Sequence, residues 1–170
     1  MLSSVLRFVR LPFLLVLIWT VARFSLGLAG VPYAPRGNAM FSVYSVMLLS
    51  SIYFGALSQR IGGFNWKGTA LVGASIGVWA QVLILLATLI SYTAGLNTYF
   101  IHWDALNVDP AKFSISMADA LTNPPEQLTA PMAQAMVGRL FGILINGILM
   151  ALAALIGRLL SGLAPGARNA

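Results

Sequence analysis

The sequence predicts an all-α integral membrane protein with four transmembrane helices and one long outer loop. Hydrophobic residues make up 59% of the 170 residues and charged residues only 8%, whereas a typical soluble domain has about 25% charged residues. The apolar residues also fall into four long stretches, separated by proline, glycine and basic residues. This composition excludes a soluble enzyme, a nucleic-acid-binding domain and a disordered chain. We therefore treat residues 1–170 as a single membrane domain.

The first predicted helix covers about residues 11–31. It follows two basic residues, Arg7 and Arg10, and stops at Pro32, because proline cannot continue a helix. A signal peptide with Arg7 and Arg10 as its basic region is the competing interpretation of this stretch. We expect the segment to be retained as the first transmembrane helix.

The other three predicted helices cover about residues 39–58, 69–95 and 132–160. In the last of them, an uncharged and mainly apolar run of 18 residues lies between Arg139 and Arg158. As a helix this run would rise by ~27 Å, close to the ~30 Å thickness of the hydrocarbon core of a bilayer. All four stretches are therefore long enough to span a membrane.

The outer loop, residues 96–131, is the one connection large enough to carry structure outside the bilayer. Connections longer than about 12–15 residues are usually functional or disordered, and this loop is too rich in aromatic residues to suggest disorder. The loosely spaced apolar residues within 110–121 predict a short interfacial helix.

The basic residues predict the orientation. If the N-terminus is cytoplasmic, six basic residues lie on the inner side and two on the outer side, as the positive-inside rule requires. The inner six are Arg7, Arg10, Arg60, Lys67, Arg158 and Arg168, and the outer two are Arg36 and Lys112. Both termini are then cytoplasmic. The sequence has no N-glycosylation sequon, which is compatible with a multi-pass protein of the bacterial inner membrane.

Arg23 is the charged residue placed deepest in a predicted helix. It lies 13 residues beyond Arg10, which is about 20 Å along a helix and roughly two-thirds of the way across a bilayer. A charge at the centre of a membrane helix costs about 2.5–3.5 kcal/mol or more. Either the guanidinium snorkels to the outer headgroups, or it binds a specific acidic or carbonyl partner. Arg139, at the edge of the last helix, is interpreted as an interfacial anchor.

Small and amide side chains predict close contacts between helices. Two G-x-x-x-G patterns, which favour close helix packing in membranes, are formed by Gly73 with Gly77 and by Gly138 with Gly142. Gln81 and Asn146 both fall near the middle of predicted helices and are expected to hydrogen-bond across them. Trp19 and Trp79 are also deep and are expected in the core, with a quinone or pigment surface as the alternative.

A catalytic site is not expected. The pattern around Ser75 also matches the G-x-S-x-G of serine hydrolases, but His102, the only histidine, would lie roughly 30 Å or more away. A general base must come within about 3 Å of its nucleophile. His102, Trp103 and Asp104 are candidates for an outer-face ligand or partner site, although a zinc site normally needs three protein ligands.

The leading functional hypothesis is a non-catalytic accessory or scaffold subunit that packs against a larger membrane complex, or self-associates, through small-residue helix faces. A small homo-oligomeric transporter or channel, for an anion near Arg23, is the alternative, and a pigment- or quinone-binding subunit is a further one. The predicted spans contain no carboxylate, which argues against a proton relay. No metal or cofactor is expected, and a bound lipid, quinone or pigment is the alternative.

Overall fold

The computed structural model describes residues 1–33, 40–102, 106, 109, 111, 114, 116, 118 and 130–163. Over these residues the protein has five α-helices and no strand. The helices are α1 (Leu2–Phe8), α2 (Arg10–Leu28), α3 (Val43–Leu57), α4 (Trp66–Thr93) and α5 (Met132–Ser161). The helical class is therefore confirmed. The interfacial helix predicted within 110–121 falls mostly outside the described residues.

Three helices are long and apolar enough to cross a membrane: α2 with 19 residues, α4 with 28 and α5 with 30. The fourth apolar helix, α3, has 15 residues and rises by only about 22 Å. The structure thus supports a membrane protein with three candidate spans. The fourth span stays a prediction.

The structure adds a short helix, α1, before the first predicted helix, and a division at Val9 separates it from α2, which begins one residue before the predicted start. Pro12 accounts for the division: its ring has no N–H and clashes with the carbonyl four residues earlier, which belongs to Phe8. Helix α1 ends at Phe8, and Pro12 is tolerated in the first turn of α2. Backbone hydrogen bonds from Val9 to Val5 and from Phe13 to Val9 continue across the division.

Capping interactions explain where α2 and α4 end. After α2, Gly30 has a φ of +71°, its N–H donates to Gly27, and the Val31 N–H donates to Leu26. This is a Schellman motif, which needs a left-handed residue that glycine supplies without strain. The same arrangement closes α4 at Gly95, whose φ is +62°. Both helices therefore stop two or three residues before the predicted ends.

The starts of α3 and α4 also differ from the prediction for local reasons. Asn65 caps α4, because its Oδ1 accepts a hydrogen bond of 2.9 Å from the Gly68 N–H, and α4 begins three residues earlier than predicted. Phe41 has a φ of +48°, which is incompatible with a right-handed helix. Helix α3 therefore begins at Val43 rather than near residue 39.

The contacts divide the chain into two compact units. Unit 1 comprises Met1–Ile18, Val43–Val82 and Phe141–Ala170, and unit 2 comprises Trp19–Ser42 and Leu83–Leu140. Each of the three long helices contributes residues to both units.

In unit 1, glycines bring α4 and α5 to backbone contact. A Cβ atom added at Gly73 would overlap the carbonyl oxygen of Met150, and one added at Gly77 would overlap that of Asn146. Glycines also join α3 to α5, since Gly55 lies against the backbone of Ala154. The lack of side chains at these positions is what permits such close approach.

The second G-x-x-x-G pattern behaves differently. Gly142 lies against the side chain of Gln81, but a Cβ atom at Gly138 would meet nothing within 4 Å in the described part of the chain. Gly138 is exposed. Gly138 therefore has no neighbouring helix among the described residues, because it lies on the exposed side of α5, and helix packing at Gly138 stays a prediction.

Candidate functional site

The most polar buried region of unit 2 surrounds Arg23, and we call Arg23, Tyr33, Tyr99 and His102 the Arg23 cluster. Arg23, on α2, is only 9% exposed. Its Nη1 donates a hydrogen bond of 2.8 Å to the carbonyl of Met40. Its guanidinium carbon also lies 5.8 Å from the ring centroid of Tyr33 and 5.3 Å from that of Tyr99. The charge is thus held by a carbonyl dipole and by two aromatic faces.

The aromatic members of the Arg23 cluster contact one another. The rings of Tyr33 and Tyr99 meet edge to face with centroids 5.4 Å apart, and the His102 ring stacks on Tyr33 at 3.8 Å. The Tyr99 hydroxyl donates a hydrogen bond of 2.7 Å to the carbonyl of Val31. Burial raises the pKa of Tyr99 above its usual value, and the nearby Arg23 cation partly opposes this by lowering it. Tyr99 is therefore a neutral hydrogen-bond donor at physiological pH.

Unit 2 holds a second buried arginine, Arg139 on α5, which is 8% exposed. Its Nη2 donates a hydrogen bond of 3.0 Å to the carbonyl of Phe100. The sequence suggested an interfacial anchor at this position, whereas the structure buries the side chain against the segment that follows α4. That segment is itself fixed by a hydrogen bond of 2.7 Å between the hydroxyls of Ser91 and Thr98.

Unit 1 contains the predicted amide pair. Asn146 Nδ2 donates a hydrogen bond of 3.1 Å to Gln81 Oε1, and Gln81 is only 1% exposed. Trp79 lies in the same unit, where its Nε1 donates to the carbonyl of Phe13 at 3.1 Å and its ring stacks on that of Phe13. Trp79 and Gln81 of α4 are therefore both hydrogen-bonded to other helices.

Arg158 forms a third arginine site, in unit 1. Its Nη1 donates to the carbonyl of Phe64 at 2.8 Å and to the hydroxyl of Thr69 at 2.9 Å. Its guanidinium carbon lies 4.4 Å from the ring centroid of Trp66. Thr69 is in turn hydrogen-bonded to Ser58 at 2.7 Å. Arg158 thereby ties the end of α5 to the connection between α3 and α4.

Several hydroxyl groups of α3 and α4 bond within their own helix. Each donates to a carbonyl three or four residues earlier, as hydroxyl side chains in membrane helices often do. Such residues include Ser51, Ser75, Thr88 and Ser91. These hydroxyl protons are therefore engaged with the backbone rather than directed at a ligand.

The predicted outer-face site is described only in part. His102 stacks on Tyr33, whereas Trp103 and Asp104 lie outside the described residues. Among the residues that the structure describes, no group of three His, Cys, Asp or Glu side chains is placed to hold a metal ion.

Sequence reasoning singled out Arg23, Gln81 and Asn146 but not the partners of the arginines. Met40, Phe64 and Phe100 serve through their backbone carbonyls, so their side chains give no signal in the sequence. The pairings of Arg23 with Tyr33 and Tyr99 and of Arg158 with Trp66 are ones that residue type could have suggested.

Comparison with known protein families, with curated proteins and with solved structures finds no match to this chain.

Proposed function

We propose that this chain is a non-catalytic integral membrane protein that serves as an accessory or scaffold subunit of a larger membrane complex. The observation that carries the proposal is the internal bonding of its polar side chains. Arg23, Arg139 and Arg158 donate to backbone carbonyls, Asn146 donates to Gln81, and hydroxyls donate within helices. A transport pathway or reaction centre needs polar groups that meet a ligand, whereas internally bonded groups stabilise a scaffold.

The outward surface of α5 supports the proposed packing role. Large apolar side chains recur along the helix at spacings of three and four residues, each about half exposed or more. They include Leu140, Leu144, Ile148, Leu152, Ile156 and Leu159. Such a face suits lipid chains or the apolar helix of a partner subunit, and Gly138 lies beside it with room for close approach.

The proposed arrangement has four spans, with α3 as the shortest, and both termini in the cytoplasm of a bacterial inner membrane. A hydrophobic helix shorter than the bilayer is accommodated by local thinning at modest cost. Charge supports the orientation. Unit 1 contains six of the ten basic residues and none of the four acidic residues, and these six are the ones that the positive-inside rule places in the cytoplasm.

The test is extraction of the chain from its native membrane in a mild detergent, followed by size separation, mass spectrometry and an absorption spectrum. Stoichiometric co-migration with other polypeptides is the expected result. A colourless peak that contains only this chain would contradict the subunit proposal.

The alternative proposal is a small homo-oligomeric anion transporter, and it rests on two buried arginines in unit 2. Arg23 lies against Tyr99, and Arg139 is bonded to the adjacent residue, Phe100. Two positive charges near one segment favour an anion over a cation. Anion uptake into liposomes that contain the purified chain, abolished in Arg23→Gln, would support this alternative, whereas no uptake would dispose of it.

A further inference from the structure

The net formal charge of this protein comes from one of its two compact units. Unit 2 contains four basic and four acidic residues, whereas unit 1 contains six basic residues and no acidic residue, so unit 1 carries the whole formal charge of +6. No carboxylate side chain of unit 1 is present to neutralise these cations. Any counter-charge for these cations must therefore come from outside the side chains of unit 1.

Three chain segments of unit 1 meet at Phe64 and bring most of these cations together. The ring of Phe8, from α1, lies 5.4 Å from that of Phe64, and Arg158, from α5, donates to the Phe64 carbonyl. Phe64 itself belongs to the connection between α3 and α4. The described basic residues on these segments, or next to them in the sequence, are Arg7, Arg10, Arg60, Lys67 and Arg158, and we call these five the basic collar.

The collar stands at the ends of the long apolar helices. Arg10 is the first residue of α2, Lys67 is the second of α4, and Arg158 is in the last turn of α5. Cations at the ends of candidate membrane helices fall at the level of the lipid headgroups. All the collar residues except the half-buried Arg158 are exposed.

Two exposed apolar side chains lie next to these cations in the sequence. Ile61 is 69% exposed and Trp66 is 50% exposed, and each adjoins a basic residue in the sequence, Arg60 and Lys67. A soluble polyanion would leave these two side chains in water, whereas the boundary between headgroups and acyl chains accepts both kinds of group.

We propose that the basic collar binds the phosphate headgroups of anionic phospholipids, and that Trp66 and Ile61 enter the adjacent acyl region. Arg158 is fixed by Phe64, Thr69 and Trp66. Its guanidinium is therefore a charge held in one place, while Arg60 and Lys67 supply exposed cations to the headgroup.

The test uses the full-length chain, purified and delipidated in a neutral detergent, and titrated with phosphatidylglycerol or phosphatidylcholine while bound lipid is counted by native mass spectrometry. Wild type is expected to bind phosphatidylglycerol at least about 25-fold more tightly than phosphatidylcholine. Removal of two collar charges in R60Q/K67Q should weaken that binding about 25-fold, at about fivefold per basic residue, and leave phosphatidylcholine binding unchanged.

Two control variants separate the collar from net charge. R60K/K67R keeps the charge and should bind as wild type does. R36Q/K112Q removes the same charge from unit 2 and should also bind as wild type does. Higher salt should weaken phosphatidylglycerol binding to wild type, which tests the proposal even if R60Q/K67Q does not fold.

Four results would overturn the proposal: equal affinity of wild type for the two lipids, salt-independent binding, full binding by R60Q/K67Q, or an equal loss in R36Q/K112Q. Soluble glycerol phosphate that binds as tightly as phosphatidylglycerol would also overturn it, because the acyl region would then contribute nothing. The assay needs only the purified chain, so its outcome does not depend on whether the chain is a subunit of a complex.

Discussion

Addition of one methyl group at Gly73 probes the contact between α4 and α5. The new Cβ atom would overlap the carbonyl oxygen of Met150, which is backbone and has no rotamer by which to move aside. The helices must then separate by roughly 1 Å or more, and a gap of 0.5–1 Å already forfeits about a quarter to a half of each dispersion contact. The neighbouring contact of Gly77 with Asn146 would loosen with it.

The expected change in the free energy of unfolding of Gly73→Ala follows from two opposing effects. Overpacking of a close-packed contact costs typically 1–3 kcal/mol and occasionally more, and backbone overlap places Gly73 at or above the upper end of that range. Replacement of a helical glycine by alanine also stabilises the helix by up to about 1 kcal/mol, because alanine has the higher helix propensity. We expect Gly73→Ala to lower the free energy of unfolding by about 2 kcal/mol. Gly138→Ala has the same gain in helix propensity without the overlap, and should raise the free energy of unfolding by up to about 1 kcal/mol.

The two variants form a matched pair for thermal unfolding in one detergent. Their stabilities should differ by about 3 kcal/mol, which for a chain of this size corresponds to about 6–12 °C in Tm. A Tm for Gly73→Ala equal to that of Gly138→Ala would refute the reasoning, since it would mean that α4 and α5 are not in backbone contact at Gly73.

Three further predictions concern the buried polar groups. Asn146→Ala removes a hydrogen-bond donor from the buried Gln81 and should lower the free energy of unfolding by about 1 kcal/mol. The double variant Q81L/N146L should recover most of that loss, because it leaves no buried amide unpaired. Equal Tm losses in the single and double variants would contradict this. Arg23→Met removes the charged hydrogen bond to Met40, worth about 1.5–3 kcal/mol, and should accelerate hydrogen exchange of the Phe41 amide and its neighbours; unchanged exchange would show that the bond does not hold this turn. Burial raises the pKa of Tyr99 in the folded state, so the folded protein favours the neutral hydroxyl. The stability contributed by this hydroxyl is complete below about pH 10 and is lost as the pH rises through the elevated pKa. The Tm of wild type should therefore fall more steeply above pH 10 than that of Tyr99→Phe, and parallel profiles would exclude this contribution.

The helical class and the approximate positions of the long helices could be predicted because long apolar runs have few alternatives in a bilayer. The errors at the ends have local causes. Pro12 separates the short helix α1 from α2 through a clash with Phe8, and Gly30 and Gly95 end α2 and α4 through left-handed caps. These are interactions of single residues, which a count of apolar residues does not register.

The candidate sites were harder to predict, and the arginines show why. Arg23 was expected deep in the first helix, with snorkelling as one alternative, and Arg139 was expected at a membrane edge. Both are buried in unit 2. Their acceptors are backbone carbonyls of Met40 and Phe100, and a carbonyl is present at every position of the sequence. Only the fold decides which carbonyl lies near a guanidinium.

The same arginine contacts bear on the order in which the chain assembles during synthesis. Arg139 and Arg158 donate to carbonyls 39 and 94 residues earlier in the chain, so both acceptors have already left the ribosome when α5 emerges. Helix α5 thus brings two guanidinium groups to sites that are prepared for them. Arg23 has the opposite order, because its acceptor, Met40, is made 17 residues later. The first long helix must therefore wait for the next segment before its charge is accommodated, whereas the last can dock as soon as it is complete.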